Sequence, residues 1–207
     1  VSINYKDLRE QYNEIFKNKP DKWVDIGRDN HAWFMLQKAL GRPPKTLLDI
    51  GCGNGHTIYY FKTLWGDDTK FTGIDLSDEA ISIAKLEMPD DIWIRGEIEE
   101  VELDQQFDVI TILGVAEHFW DIAAKMKYIQ RFLKDKGILY LEAPNCLEYS
   151  DSQKEGFRKS PEGKQEEWHL KKETWDKILE EAGYVTFLTR VRSNPFVGFV
   201  WILQKPQ

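Results

Sequence analysis

Nine consecutive residues, Leu47-Leu48-Asp49-Ile50-Gly51-Cys52-Gly53-Asn54-Gly55, offer the clearest chemistry in this chain. An apolar stretch runs into a turn with glycine at every second position. Glycine reaches positive φ without a Cβ penalty and lets a ligand lie against the backbone. A helix starting there would present unpaired N–H groups, so a nucleotide or an amino-acid carboxylate suits the place. The spacing is G-x-G-x-G and departs from the dinucleotide pattern G-x-G-x-x-G. The Lys-Ser/Thr pair of a phosphate-binding loop is absent. Asp75 lies 20 residues past Gly55, at the end of Phe71-Thr72-Gly73-Ile74-Asp75. A carboxylate there can accept both hydroxyls of a ribose. Further on, His118, beside Glu117, and His169 are side chains able to take a proton near neutral pH. Each also has a purely structural reading, as do His31 and His56.

These residues need a scaffold, and the chain alternates between two periods. Tyr5, Leu8, Tyr12, Ile15 and Phe16 recur at helix spacing. Pro20 interrupts that pattern, a second helical stretch follows at 28–40, and Gly41, Pro43 and Pro44 mark a boundary. Strands are expected at 46–50, 71–75, 91–95, 107–113 and 138–143, with helices between them. Ser77 and Asp121 are expected N-caps. Segment 144–170 is polar and aperiodic, and long loops of that kind are commonly functional. Order resumes with Thr174 as an expected N-cap and Gly183 as a C′ residue, then strands at 184–191 and 196–203 joined tightly enough to be antiparallel. Strands alternating with helices imply a mostly parallel α/β sheet covered on both faces. The organisation expected is a helical cap over 1–44 and one domain over 45–207, with an inserted lid at about 144–170.

Composition narrows the class. The chain has 207 residues, 42% hydrophobic and 30% charged, which fits a folded globular protein. Thirty-five acidic against 28 basic residues give a net charge of −7, which disfavours a nucleic-acid footprint. No apolar run approaches the ~20 residues of a membrane span, and no signal-peptide pattern opens the chain. Cys52 and Cys146 form neither a zinc pattern nor a disulfide framework, so a reducing cytoplasmic compartment is expected. Eight tryptophans are read as core and lid packing.

The glycine-rich turn and the acid after it resemble class I S-adenosylmethionine (SAM)-dependent methyltransferases, especially small-molecule members. The resemblance runs from Thr46 to the C-terminus. Asp49 to Gly55 is similar to the family's first motif, and Gly73-Ile74-Asp75-Leu76-Ser77 to its second. Arg95-Gly96-Glu97-Ile98-Glu99 resembles the segment lying against adenine, and Phe107 to Leu113 the fourth motif. Phe132-Leu133-Lys134-Asp135-Lys136-Gly137 is similar to the family's L-K-P-G-G turn, with Asp135 and Lys136 departing from it. The resemblance implies a three-layer α/β/α Rossmann-like fold with a seven-stranded sheet, order 3-2-1-4-5-7-6, and only strand 7 antiparallel. It implies SAM as cofactor and S-adenosylhomocysteine as product. Asp49, Gly51, Cys52, Gly53 and Gly55 would hold the methionine end, and Asp75 the ribose. Leu76 would pack on adenine with Glu97 or Ile98 at its edge, and Leu113 and Gly114 would pass the sulfonium.

Methyl transfer needs in-line approach of a nucleophile. Proximity and alignment can supply ~7–11 kcal/mol of the barrier, with a base where the acceptor is a hydroxyl. His118 and His169 are the expected candidates for that base. Ubiquinone-pathway and plant small-RNA methyltransferases have an E-x-x-E-H run and a later His that bind a divalent ion. Here Gly114 replaces the first Glu, so Glu117, His118 and His169 are expected to hold no metal. Tyr149, Phe157 and Trp168 of the insertion are expected to cover a small-molecule acceptor. The alternatives are an RNA or protein methyltransferase, for which Lys134, Lys136, Lys171 and Lys172 give only a thin basic groove, and a SAM-binding protein without turnover. An NAD oxidoreductase is disfavoured by the glycine spacing.

Overall fold

The computed structural model describes residues 4–21, 30–145, 154–159, 166–192 and 198–206, excluding the side chains of 30–32 and 192. Cys146 and Tyr149 lie outside the described residues, as does the side chain of His31.

Strands β1 (Thr46–Ile50), β2 (Lys70–Asp75), β3 (Ile92–Arg95), β4 (Phe107–Leu113), β5 (Leu133–Pro144), β8 (Val185–Arg192) and β9 (Gly198–Gln204) form one sheet in the order β3-β2-β1-β4-β5-β9-β8. Its first five strands pair in parallel, and β9 runs antiparallel to both β5 and β8. This is the expected order and strand polarity, displaced in numbering by one inserted hairpin. The sheet buries both faces. Ile110, Ile112 and Leu141 join one core with α5 (Ile122–Ile129) and α6 (Lys172–Glu181). Leu47, Val109 and Tyr140 join the other with α2 (Asn30–Leu40), α3 (His56–Trp65) and α4 (Asp78–Glu87). The near-continuous apolar reading of β4 follows from this two-sided burial.

Local caps fix where helices begin. Ser77 Oγ accepts the Ala80 N–H at 3.1 Å, and Asp121 Oδ1 the Ala124 N–H at 2.9 Å, as expected. Helix α6 departs from expectation. It starts after Lys171, and Thr174 sits inside its first turn, donating its hydroxyl to Glu155 at 2.6 Å. Gly183, at φ +85°, follows the last helical residues as expected. The insertion also differs from a plain loop. Strand β6 (Gly156–Lys159) pairs antiparallel with β7 (Glu166–His169). Trp120, Phe157 and Trp168 cluster, their ring centroids 5.2–5.9 Å apart, and the Trp168 indole N–H reaches the Phe119 carbonyl at 3.0 Å.

Helix α1 (Tyr5–Asn18), capped by Asn4, lies across the carboxyl ends of the central strands. Its Phe16 packs on Gly53 after β1, its Asn13 Oδ1 accepts the Ser77 hydroxyl after β2 at 2.7 Å, and its Tyr12 meets His118 after β4. Among the described residues no helix is long and apolar enough to cross a membrane.

Candidate active site

Strand order reverses between β1 and β4, and a ligand collects beyond the carboxyl ends at such a point. After β1 the backbone turns sharply. The N–H groups of Gly51 and Cys52 both bond to the Ile74 carbonyl, at 2.8 and 3.0 Å, which ties the turn to β2. Gly51, Gly53 and Gly55 take φ of +73°, +54° and +88°. Space, as well as torsion, demands glycine here. A Cβ on Gly51 would stand 2.2 Å from Val115, and one on Gly55 2.6 Å from both Met88 and Trp93. The Cys52 thiol is buried behind the turn, and burial pushes its pKa well up.

Two acids flank this turn. Asp49 is buried within β1 and accepts the Thr111 hydroxyl at 2.6 Å. Burial pushes its pKa up to about 7. Asp75 ends β2 half-buried, Oδ2 accepting the Gly53 N–H and Oδ1 the Ser77 N–H, each at 2.8 Å. Burial raises its pKa, and those two N–H groups work against the rise. Each carboxylate oxygen has capacity for another donor.

Leu76 is half-buried beside Asp75, whereas Ile98 is buried in the core. Glu97 accepts from Lys125 at 2.7 Å and from the Glu99 N–H at 3.2 Å. Burial opposes the Lys125 charge, but Glu97 and Glu99 hold it on. Leu113 and Gly114 end β4 half-buried. Gly114, at φ +65°, has no heavy atom within 4 Å of a notional Cβ except Glu117 Oε1, at 3.7 Å. A bare glycine backbone, an acid with spare lone pairs and apolar neighbours meet at one strand edge. That set fits an adenosyl group carrying an amino acid.

Beyond β4, a polar cluster forms from three parts of the chain. His118 Nδ1 lies 3.0 Å from the Glu166 carbonyl, which can only accept, so Nδ1 carries hydrogen. The neutral ring then accepts the Tyr12 hydroxyl on Nε2 at 3.2 Å. Burial lowers the His118 pKa and keeps the ring neutral. His169 ends β7, fully buried, with Nε2 3.4 Å from Glu167 Oε1. Both histidines expected from sequence thus contact residues of β7, His118 through the Glu166 carbonyl and His169 through Glu167. Tyr12 and Glu167 were missed. The spacing of Tyr12 reads as packing, and nothing local reveals a partner 106 residues away. His56 contacts Asn54 at 3.1 Å at the start of α3. Among the described residues, no group of three or more His, Cys, Asp or Glu side chains could hold a metal.

Residues 42–183 match a family described as a methyltransferase domain. The ubiquinone biosynthesis O-methyltransferase of Nitrosomonas europaea is 31% identical over 111 residues, 51% of this chain and 46% of that protein. The demethylmenaquinone methyltransferase of Chlorobaculum tepidum is 33% identical over 128 residues, 58% of this chain and 52% of that protein. The chain therefore spans about half the length of the curated relatives it matches. The crystal structure of the Burkholderia thailandensis 1,6-didemethyltoxoflavin-N1-methyltransferase, with 1,6-didemethyltoxoflavin and S-adenosylhomocysteine bound, superposes with a TM-score of 0.78 at 18% identity, covering 98% of this chain and 88% of that one.

Proposed function

Because the chain belongs to the methyltransferase-domain family, we propose that it transfers the methyl group of SAM to an oxygen or nitrogen atom of a small-molecule acceptor. S-adenosylmethionine supplies an electrophilic methyl carbon on a sulfonium; the protein binds, orients and shields. Asp75 takes the ribose hydroxyls on its remaining lone pairs. Leu76 faces adenine and Glu97, steadied by Lys125, reads its edge, whereas Ile98, buried in the core, supports this segment from behind. Gly51, Cys52, Gly53 and Gly55 line the methionine end, with Asp49 behind the turn held by Thr111, and Leu113 and Gly114 flank the methyl position. His118 and His169 belong to the acceptor side. His118 positions the Tyr12 hydroxyl, and His169 braces Glu167.

One observation carries the small-molecule reading. Helix α1 and the β6–β7 hairpin meet over the end of β4 through a single side chain, His118, at 3.2 Å and 3.0 Å. A site roofed from both sides suits an acceptor that enters whole better than a nucleic-acid or protein strand lying in a groove. Residues 1–44 then act as a cap and the insertion at about 144–170 as a lid. Labelled methyl transfer from SAM to pooled small metabolites, to RNA and to protein tests this reading. Label is expected in the metabolites. Transfer confined to either polymer would overturn the assignment.

A further inference from the structure

Helix α1 carries a polar anchor at its middle. Asn13, half-buried, accepts the Ser77 hydroxyl at 2.7 Å and the Glu79 N–H at 3.3 Å, both on Oδ1. The first N–H groups of a helix have no partner within it. In α4 they are shared between Ser77, which takes the Ala80 N–H, and Asn13, which lies 64 residues before Ser77 in the chain. Ser77 has one hydroxyl hydrogen, and Asn13 holds it. The Ser77 N–H bonds to Asp75 Oδ1 and the Gly53 N–H to Asp75 Oδ2, each at 2.8 Å. A continuous run of hydrogen bonds therefore leads from α1 through Ser77 and Asp75 to the glycine turn. Three residues further along α1, the Phe16 ring stands 3.0 Å from where a Gly53 Cβ would lie. Residues three apart share a helix face, so one face of α1 meets both ends of this run. Arg9, on the same face, lies 3.6 Å from Asp78 in a partly exposed pair of small consequence.

We propose that Asn13 is a positioning residue of the cofactor site and sets the rate at which an adenosyl ligand leaves it. This rests on the methyltransferase reading above, in which Asp75 takes the ribose, Leu76 faces adenine and Gly53 lines the methionine end. Asn13 fixes Ser77, and Ser77 fixes one oxygen of Asp75, so the carboxylate keeps its remaining lone pairs turned to the ribose. A ligand joining Asp75 to Gly53 runs along the face of α1 that carries Asn13 and Phe16. Its release requires α1 to lift, and lifting breaks both Asn13 bonds together with the Phe16 contact. The ring contact can slide, whereas hydrogen bonds are directional. Asn13, more than Phe16, therefore fixes the register of α1 on the site. Arg9 cannot take over, because its pair with Asp78 is solvated.

The test loads the intact chain with labelled S-adenosylhomocysteine and follows its release during a chase with excess unlabelled ligand. Release from Asn13→Ala is expected to be about tenfold faster than from wild type, the scale of losing hydrogen bonds of this kind. Asn13→Asp keeps an acceptor oxygen in place and should release at close to the wild-type rate. Gln11→Ala, exposed on α1, should match wild type. A merely structural Asn13 would lower the melting temperature of the ligand-free protein and leave release alone. That result, or release from Asn13→Asp as fast as from Asn13→Ala, would overturn the proposal and leave the methyltransferase reading standing. In wild type, amide exchange over 5–18 should slow when S-adenosylhomocysteine is saturating. Unchanged exchange there would overturn the proposal even if the variants fail to fold. A wild-type chain that retains neither S-adenosylhomocysteine nor SAM would overturn both.

Discussion

Asp75 and Asp49 are both acids at one strand edge, yet their surroundings give them different tasks. Asp75 keeps lone pairs at the mouth, whereas Asp49 is sealed behind the turn with Thr111 as its donor. Replacing Asp75 with Ala removes charge-assisted bonds worth ~1.5–3 kcal/mol each. SAM affinity measured by calorimetry should fall at least about tenfold, and an unchanged value would count against the ribose assignment. Asp49 offers a prediction in pH. Its folded pKa, about 7, lies above the ordinary carboxyl value, so the folded state holds a proton that the unfolded chain releases. The resulting stability is complete below pH ~4 and is lost as pH rises through about 7. Asp49→Asn removes that loss. Its melting temperature relative to wild type should climb between pH 5 and 8, and parallel curves would show that Asp49 ionises normally.

Elements bring these residues together, and their packing is testable apart from chemistry. The Gly51 turn meets Val115 from the segment after β4, so Gly51→Ala must push Val115 aside at a φ of +73°. Overpacking of this kind costs ~1–3 kcal/mol. Thermal melts should record the loss, and Val115→Ala should restore part of it. In the hairpin, Trp168→Ala removes a ring contact with Trp120 and Phe157 and a hydrogen bond to the Phe119 carbonyl. Acceptor KM should rise several-fold while SAM affinity holds; equal losses in both would mean that the hairpin supports the whole fold. Sequence shows some of these elements and hides others. Strands β1 and β4 and the caps Ser77 and Asp121 are legible because buried runs and capping oxygens leave local patterns. The hairpin is not. Arg158, Lys159, Glu166 and Glu167 carry no alternation, and its pairing is secured by aromatic contacts to Trp120. Thr174 misleads for a related reason, since Glu155 takes the hydroxyl that would otherwise cap.

Across the whole molecule, the glycine turn, the acid after β2 and the end of β4 converge because strand order reverses between β1 and β4, and α1 spans all three. The acceptor side depends on contacts between segments remote in sequence, such as Tyr12 with His118, so its chemistry emerges only once the chain is folded. The proposed cofactor side rests on two short motifs one strand apart, which leave local patterns in the sequence. Both sides presuppose that an adenosyl sulfonium occupies the strand edge. Calorimetric titration of the purified chain with SAM and S-adenosylhomocysteine, with NAD as control, addresses this directly. Saturable one-site binding of the two adenosyl ligands, abolished or greatly weakened in Asp75→Ala, is the predicted result. No heat of binding from either at millimolar concentration, or tighter binding of NAD, would contradict it.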